Sequence, residues 1–305
     1  MKEKRHRVSG VLVAFVIMLF AGMAMMSGCA GTNTAPSGSG DAAASQPIHA
    51  ISREDGSGTR SAFVELFGVE VENSEGKKVD ATTSAAVITN STSVMLTSVS
   101  GDRAAIGYIS LGSLNDTVKA VEINGSAATA ENIKTGSYPI QRPFNIATQN
   151  NLSEQAQDFI KFIFSREGQQ VVEDNLYIAI DNNAPAFTPG NVEGKISVAG
   201  SSSVSPVMEK LKEAYEAINP KVSIEIQTTD SSTGMSSTIG GICDIGMASR
   251  DLKESELSAG LTPQEIALDG IAVIVNNENA VQNLTIEQVR AIFLGEFTNW
   301  SDINA

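Results

Sequence analysis

The chain has 305 residues, enough for two lobes or one large domain, and 42% of them are hydrophobic, as in a water-soluble globular protein. Its formal net charge of −14 argues against nucleic-acid binding, because contacts to a phosphate backbone require clustered Lys and Arg. The two histidines and two cysteines are too few for a zinc or copper site, since one histidine lies in the N-terminal leader. The composition therefore predicts no metal, no cofactor and no nucleic-acid partner.

The first 28 residues have the pattern of an export signal. A basic segment, MKEKRHR, precedes the apolar run VLVAFVIMLFAGMAMM, and small residues lead to Cys29. This pattern resembles a bacterial lipoprotein signal, which is cleaved before a cysteine that receives lipid. We therefore expect residues 1–28 to be removed and Cys29 to anchor the protein on the extracytoplasmic face of the cell membrane. Residues 29–46 are small and polar and predict a flexible linker.

Strand-like and helix-like segments alternate from Pro47 onward. IHAIS predicts a strand and SGTRSAFVELFG a helix, and AAIGYIS and AVEIN predict two further strands. LSEQAQDFIKFIFSREGQQVVEDN has apolar residues at helical spacing throughout and predicts one long helix.

A second series of segments begins at KISVAG, a predicted strand. The helix after it has Pro206 in its first turn, where proline fits. VSIEIQ, CDIGMAS and the nearly continuous apolar run GIAVIVN predict strands, and LTIEQVRAIF predicts a helix with Thr285 and Gln288 in capping-box positions. This alternation predicts an α/β fold with mainly parallel sheets.

Three strand-to-helix turns share one chemistry. They are SREDGSGT, which begins at Ser52 and contains Arg53, AGSSSVSP with Ser201–Ser203, and TTDSSTG with Ser231–Thr233. Each turn offers hydroxyl and backbone N–H donors at a helix N-terminus, where negative charge is favoured. Arg53 adds a guanidinium that can donate two parallel hydrogen bonds to an oxyanion. Together the three turns predict an anion-binding site.

Two other functions of these turns, ATP binding and serine hydrolysis, would need residues that the sequence does not place there. GSGTR lacks the Lys that an ATP-binding loop requires after its last glycine. A serine hydrolase needs a general base near its serine, and His49, the only histidine after the leader, is predicted to lie in a strand beside the linker. Cys243 has no disulfide partner once Cys29 carries lipid, and we expect it to be a small buried hydrophobic residue.

Several segments resemble the phosphate-binding lipoproteins of bacterial high-affinity phosphate ABC transporters. The resemblance covers nearly all of residues 47–305 and is carried by ISREDGSGTRSAF, AAIGYISLGSL, YPIQRPF, FIKFIFSREGQQVV, ISVAGSSSVSP, DIGMASR, DGIAVIVN and LTIEQVRAIFLGEFTNWSDI. In that family the segments from ISVAG to NWSDI come first, whereas here they come second. The chain therefore resembles a circularly permuted member, in which Pro47 is expected to lie close to Ile303.

The resemblance implies a two-lobed periplasmic-binding-protein type II fold with a ligand cleft between the lobes. Residues 143–276 would form a continuous lobe that carries the serine-rich turns. Residues 47–142 and 277–305 would form a discontinuous lobe that carries the turn with the pattern R-x-D-G-S-G-T.

The resemblance also implies the phosphate-binding residues: Arg53, Ser57, Gly58, Thr59, Ser202, Ser203, Ser231 and Ser249. Asp55 would hold the Arg53 guanidinium. Ser249 stands where some members have an Asp that accepts the phosphate proton. As supporting residues, Asp55 or Asp230 could replace that carboxylate, or Ser249 could suffice. Arg250 and Asp269 lie in similar turns and are either further contacts or a structural ion pair.

The function implied is that of an extracytoplasmic solute-binding lipoprotein, a monomer without a catalytic step, that captures inorganic phosphate and delivers it to the permease of an ABC transporter. Three alternatives stay open from the sequence. The same fold could bind sulfate, arsenate or molybdate; one of the serines could serve a surface phosphohydrolase; or the fold could serve as a sensory or adhesive surface module.

Overall fold

The computed structural model describes residues 46–304. The predicted signal peptide, Cys29 and all of the predicted linker except Gln46 lie outside the described residues. None of the helices in residues 46–304 is long and apolar enough to cross a membrane.

The described part of the chain alternates strands and helices. The strands are β1 (His49–Arg53), β2 (Glu70–Glu72), β3 (Lys78–Asp80), β4 (Val87–Thr89), β5 (Ala105–Ser110), β6 (Val118–Ala120), β7 (Glu122–Ile123), β8 (Gln141–Thr148), β9 (Gly194–Ser201), β10 (Val222–Thr229), β11 (Ile245–Ala248), β12 (Thr262–Asn276) and β13 (Asn283–Leu284). The helices are α1 (Gly58–Phe67), α2 (Thr92–Ser100), α3 (Ala130–Lys134), α4 (Glu154–Ile163), α5 (Arg166–Asp174), α6 (Ser205–Ile218), α7 (Ser231–Ile239), α8 (Glu254–Ser258) and α9 (Ile286–Leu294). Two short 3-10 helices cover Leu111–Ser113 and Trp300–Asn304.

One large sheet runs through the described residues, in the order β10-β9-β11-β8-β12-β5-β1-β4, with β6 also paired to β12. Strand β12 is antiparallel to β8 along its first part and to β5 along its second part. The strands β9, β10 and β11 pair in parallel, as do β1, β4 and β5. The prediction of mainly parallel sheets is therefore wrong: the sheet is mixed, because β8 and β12 run in the opposite direction to the strands that the helices connect.

Two large hydrophobic cores and a small third cluster around Met235 and Leu261 lie on this sheet. The first core draws most of its residues from 50–140 and 271–293, and Phe63 stacks on Tyr108 within it, with ring centroids 3.8 Å apart. The second core extends from Phe144 to Ala267. Along β12 the membership of the cores changes between Ala267 and Ile271. The predicted lobe boundaries stay a prediction.

The beginning and the end of the described chain lie side by side in the first core. Pro47 forms a β-bridge with Asn299, and the Ile48 N–H donates to the Thr298 carbonyl (2.8 Å). The Trp300 N–H donates in turn to the Gln46 carbonyl (3.0 Å). The prediction that Pro47 lies close to the end of the chain is confirmed.

Local capping explains where several helices begin. Thr285 and Gln288 form the predicted capping box of α9, and Pro206 lies in the first turn of α6. The prediction of one helix over residues 152–175 is wrong. Ser165 starts a new helix there, because its Oγ accepts from the Gly168 N–H (3.2 Å). The predicted strand AVEIN is also divided, into β6 and β7.

Candidate anion-binding site

The Arg53 side chain links the two cores. Arg53 ends β1 in the first core and is only 2% exposed. Its Nη2 donates to the Oγ of Ser202 (3.1 Å), which directly follows β9 of the second core. A buried guanidinium at the carboxyl end of a strand therefore faces the first of the serine-rich turns, as the sequence predicts.

The beginning of α1 meets all three serine-rich strand ends. Thr59 Oγ1 and Ser203 Oγ lie 2.7 Å apart. Gly58 packs so closely that an added Cβ would lie 2.5 Å from Ser231 Oγ and 2.8 Å from Ser249 Oγ. Glycine is therefore required at position 58 for close approach across the cleft.

Ser249 and Ser231 form one hydrogen-bonded unit on the second core. The Ser249 N–H donates to Ser231 Oγ (3.1 Å), and the Ser201 hydroxyl donates to Ser249 Oγ (2.9 Å). Ser231 Oγ and Ser249 Oγ also lie 3.5 Å apart, a long contact in which either hydroxyl can donate to the other. When both hydroxyls turn to a ligand instead, the unit supplies two O–H donors to an anion.

All eight predicted ligand residues are buried. Seven of them take part in the contacts between the turns; Ser57 is the exception in the described contacts. Ser57 is the N-cap of α1, and its Oγ accepts from the Arg60 N–H (3.3 Å). The structure thus shows Ser57 in a capping role, and its predicted contact with phosphate stays a prediction.

The helices that begin at this site share an unusual first turn. Among the described helices, α1, α2, α6 and α7 carry no acidic residue in the first turn. The other described helices, α3, α4, α5, α8 and α9, each carry at least one Glu there. A helix N-terminus is stabilised by nearby negative charge. Helices α1, α2 and α6 therefore carry no acidic residue at the N-cap or in the first turn, whereas α7 has the carboxylate of its N-cap, Asp230.

Thr92 is the site residue that the sequence analysis missed. It is the first residue of α2 and is buried; its backbone N–H donates to Ser202 Oγ (3.3 Å), and its Oγ1 lies 3.2 Å from Ser203 Oγ. The only signal in the sequence is NSTS, which has the Ser/Thr-rich form of an ordinary helix start. It resembles the other turns in composition but follows only a short strand, β4.

The prediction that Asp55 holds Arg53 is wrong. The Arg53 Nε and Nη2 donate to the two carboxylate oxygens of Glu54 (2.8 and 2.7 Å). Asp55 lies in the turn between β1 and α1, where its side chain is 96% exposed and pairs with Arg60 (2.7 Å). The chain turns away from the guanidinium after Glu54, so the neighbouring carboxylate takes the place that was assigned to Asp55.

Asp230 supports the third turn by capping its helix. It is the N-cap of α7, and its Oδ1 accepts from the Thr233 N–H (2.9 Å). A Cβ on Gly56 would lie 2.2 Å from the same oxygen, and the Ser232 N–H donates to the Gly56 carbonyl (3.2 Å). The first and third turns therefore touch through main chain as well as side chains.

Arg250 and Asp269 do not pair with each other. Arg250 binds Glu256 through both terminal nitrogens (2.9 and 2.8 Å), and Asp269 binds Arg142 (3.1 Å). Burial raises the pKa of Asp269 to about 6, against the opposing effect of the Arg142 guanidinium. Arg142 also donates to the carbonyl of Ser249 (3.1 Å). Each residue thus belongs to an ion pair of its own, and the Arg142 pair connects β8 and β12 to the site.

The remaining histidine and cysteine lie apart from this chemistry. His49 begins β1, at the opposite end from Arg53, and its Nδ1 lies 2.6 Å from Asp102 Oδ2. Cys243 is buried, as predicted, and burial raises the pKa of its thiol. In residues 46–304 no group of three or more His, Cys, Asp or Glu side chains is arranged to hold a metal ion.

Two α/β cores joined by two shared strands, with hydrogen-bond donors from both cores meeting between them, define a two-lobed solute-binding protein. The chain matches the model of a PBP superfamily domain over residues 30–167 and 185–305. The chain belongs to this superfamily.

Three comparisons with individual proteins are informative. The chain is 51% identical to the phosphate-binding protein PstS 2 of Streptococcus agalactiae over 302 residues, which cover 99% of each. A crystal structure of a phosphate ABC transporter, phosphate-binding protein, from Streptococcus pneumoniae is similar with a TM-score of 0.66 and 48% identity, over 85% of this chain and 100% of that one. The phosphate-binding protein PstS of Staphylococcus saprophyticus is 35% identical over 122 residues, which cover 38% of each protein.

Proposed function

We propose that this chain binds inorganic phosphate between its two cores and delivers it to the permease of an ABC transporter. The observation that carries the proposal is that the buried Arg53 guanidinium donates to Thr92 at the start of α2 and to Ser202 before α6. The starts of α1 and α7 meet beside it at Gly58 and Ser231. The names of the similar streptococcal proteins support phosphate as the anion.

The donors suffice for tight binding. Hydrogen bonds to a charged group contribute about 1.5–3 kcal/mol each. A micromolar site requires about 8 kcal/mol net. The guanidinium of Arg53, the hydroxyls of Ser231 and Ser249 and the backbone N–H groups of the converging helices exceed that sum before the costs of ordering and closure are subtracted.

The two cores act as lobes in this proposal, and the anion draws them together by a hinge movement at β8 and β12. The two strands pass between the cores near residues 140–144 and 267–271, where the membership of the cores changes. Thr59 and Gly58 already make close contacts across the cleft in this structure, and in the proposal these are contacts of the closed state.

The proposal includes an extracytoplasmic, lipid-anchored monomer that acts as a carrier without a catalytic step. Labelling with radioactive palmitate should mark the wild-type protein and leave Cys29→Ser unlabelled. Light scattering of the purified chain should give the mass of a single copy.

Isothermal titration calorimetry of the full chain with phosphate, sulfate and arsenate at two pH values tests the ligand. We expect phosphate to bind at micromolar concentration or below. Tight sulfate binding without a phosphate response would show that the ligand is another oxyanion and not phosphate. That second candidate is supported by Ser249, which offers a hydroxyl rather than a carboxylate to a protonated ligand oxygen. Hydrolysis of a chromogenic phosphate ester by the pure protein would favour the phosphohydrolase instead.

A further inference from the structure

Glu54 occupies one edge of the arginine on which the proposed site depends. Its carboxylate accepts from Arg53 Nε (2.8 Å) and Nη2 (2.7 Å), a bidentate pair of the strong, planar kind. The Arg53 side chain is 2% exposed, and that of Glu54 is 21% exposed. The far end of the guanidinium, which is Nη1 and the second N–H of Nη2, faces the cleft. There Nη2 also donates to Ser202 Oγ (3.1 Å).

The charge of Arg53 is therefore already balanced before an anion is bound. The other buried arginines near the cleft are balanced in the same way, Arg142 by Asp269 and Arg250 by Glu256. Of these carboxylates, Glu54 is the one that shares its arginine directly with the proposed site. A phosphate dianion at the far end of the guanidinium would lie across the guanidinium from the Glu54 carboxylate, which would repel it.

We propose that Glu54 is a resident counter-ion that competes with the bound anion for Arg53 and thereby limits the affinity for phosphate. This inference rests on the proposed function. A buried ion that loses its partner is strongly destabilised. If a substitution removed the Glu54 charge, Arg53 would lack a counter-ion until phosphate supplied one. Phosphate binding would then restore the stabilisation of the Arg53 charge, which makes binding more favourable than in wild type.

If Glu54 mainly positioned the guanidinium, its replacement would weaken phosphate binding instead of tightening it. The surroundings of Arg53 argue against that role. The side chain is enclosed almost completely, and Ser202 and Thr92 contact its far end. A glutamine at position 54 would keep one oxygen in reach of Arg53 Nε. The geometry of Arg53 is therefore retained when the negative charge is removed.

The test compares Glu54→Gln with Asp55→Asn, which removes the same charge one residue further along. Titration calorimetry with phosphate at low salt should show Glu54→Gln binding about tenfold more tightly than wild type, equivalent to about 1.4 kcal/mol. Asp55→Asn should stay within about twofold, because the Asp55 carboxylate is exposed and paired with Arg60.

Thermal unfolding supplies a second readout. Without phosphate, Glu54→Gln should melt at a lower temperature than wild type, and saturating phosphate should raise its melting temperature by more than it raises that of wild type. Lower stability combined with tighter binding is not expected of a residue with a merely structural role.

Weaker or unchanged phosphate binding by Glu54→Gln would overturn the inference while leaving the proposed function intact. A wild-type chain that does not bind phosphate would instead overturn the proposed function, and the inference with it. If Glu54→Gln does not fold without phosphate, Glu54→Asp provides the same test. Its shorter side chain weakens the bidentate contact and should also tighten binding, by less than Glu54→Gln; a loss of affinity would contradict competition.

Discussion

Replacement of Arg53 by methionine should nearly abolish phosphate binding. Methionine keeps an unbranched apolar stem in a position that is 2% exposed, but removes the positive charge and every N–H donor of the guanidinium. The Glu54 carboxylate then remains beside the cleft without its partner, 21% exposed, and repels the incoming anion.

The magnitude follows from what Arg53 offers to the ligand. Truncation of one partner of a buried, hydrogen-bonded charge pair costs about 2–5 kcal/mol in binding. Two charge-assisted hydrogen bonds from the far end of the guanidinium would give a similar figure, about 3–6 kcal/mol. We therefore expect Arg53→Met to weaken phosphate binding by about 3 kcal/mol or more, a factor of at least about 150.

Arg103→Met is the matched control for charge. Arg103 forms its ion pair with Glu278 on the surface, and its side chain is 71% exposed. The substitution removes one positive charge from the whole protein, as Arg53→Met does, and should change affinity little because exposed charges are screened. Calorimetry gives the affinities, and circular dichroism shows whether both variants are folded. If folded Arg53→Met binds phosphate as well as Arg103→Met does, the assignment of the site to this cleft is wrong.

Three further substitutions test separate parts of the structure. Ser231→Ala should weaken phosphate binding by about 1 kcal/mol, the contribution of a single hydrogen bond, in the same titration. Gly58→Ala should hold the cores apart, because its Cβ would lie 2.5 Å from Ser231 Oγ, and small-angle scattering should then show a smaller phosphate-induced decrease in radius of gyration than in wild type. Asp269→Asn addresses pH. The pKa of Asp269 is raised from 3.8 to about 6, so its contribution to stability is present below pH 3.8 and is lost as the pH rises through about 6. Urea unfolding from pH 4 to pH 7 should show wild type losing stability relative to Asp269→Asn, and parallel curves would contradict that pKa.

The convergence of the turns could be predicted because each turn has a local signature. Arg53 ends a strand, Ser202 lies between a strand and a helix, and Ser231 begins a helix. Such strand-to-helix turns lie at the same edge of a sheet when the strands run in parallel. The capping pair Thr285 and Gln288 was predictable for the same reason, since its hydrogen bonds span only three residues. Sequence patterns that act over only a few neighbouring residues do not depend on the rest of the fold.

The partner of Arg53 could not be predicted in the same way. Glu54 and Asp55 are adjacent carboxylates, and the direction in which the chain leaves β1 decides which one meets the guanidinium. The resemblance to the phosphate-binding family favoured Asp55, whereas the structure places Asp55 against Arg60. Thr92 was missed because a Ser/Thr-rich helix start is common and becomes informative only when the fold brings it to Ser202.

The order of the segments remains a prediction in part. Pro47 and Asn299 are bridged, as a permuted order requires. The relative from Streptococcus agalactiae aligns over 99% of both chains, so it shares the order found here. The match to the Staphylococcus saprophyticus protein covers only 38% of each, which is the behaviour expected when two halves are exchanged and a single alignment can follow only one.

The charge distribution explains how an acidic protein can bind an anion. The net charge of −14 acts at long range, but salt screens exposed charges beyond about 8–10 Å at physiological ionic strength. Within the cleft each buried arginine already has a carboxylate, so the local charge is close to zero. What remains for an anion is a set of fixed dipoles: four helix N-termini without an acidic residue in the first turn, of which only that of α7 has an acidic N-cap, Asp230. In the proposed function, binding by dipoles and hydroxyls rather than by net positive charge would let the site hold phosphate and still release it, and the proposed competition by Glu54 would set the affinity.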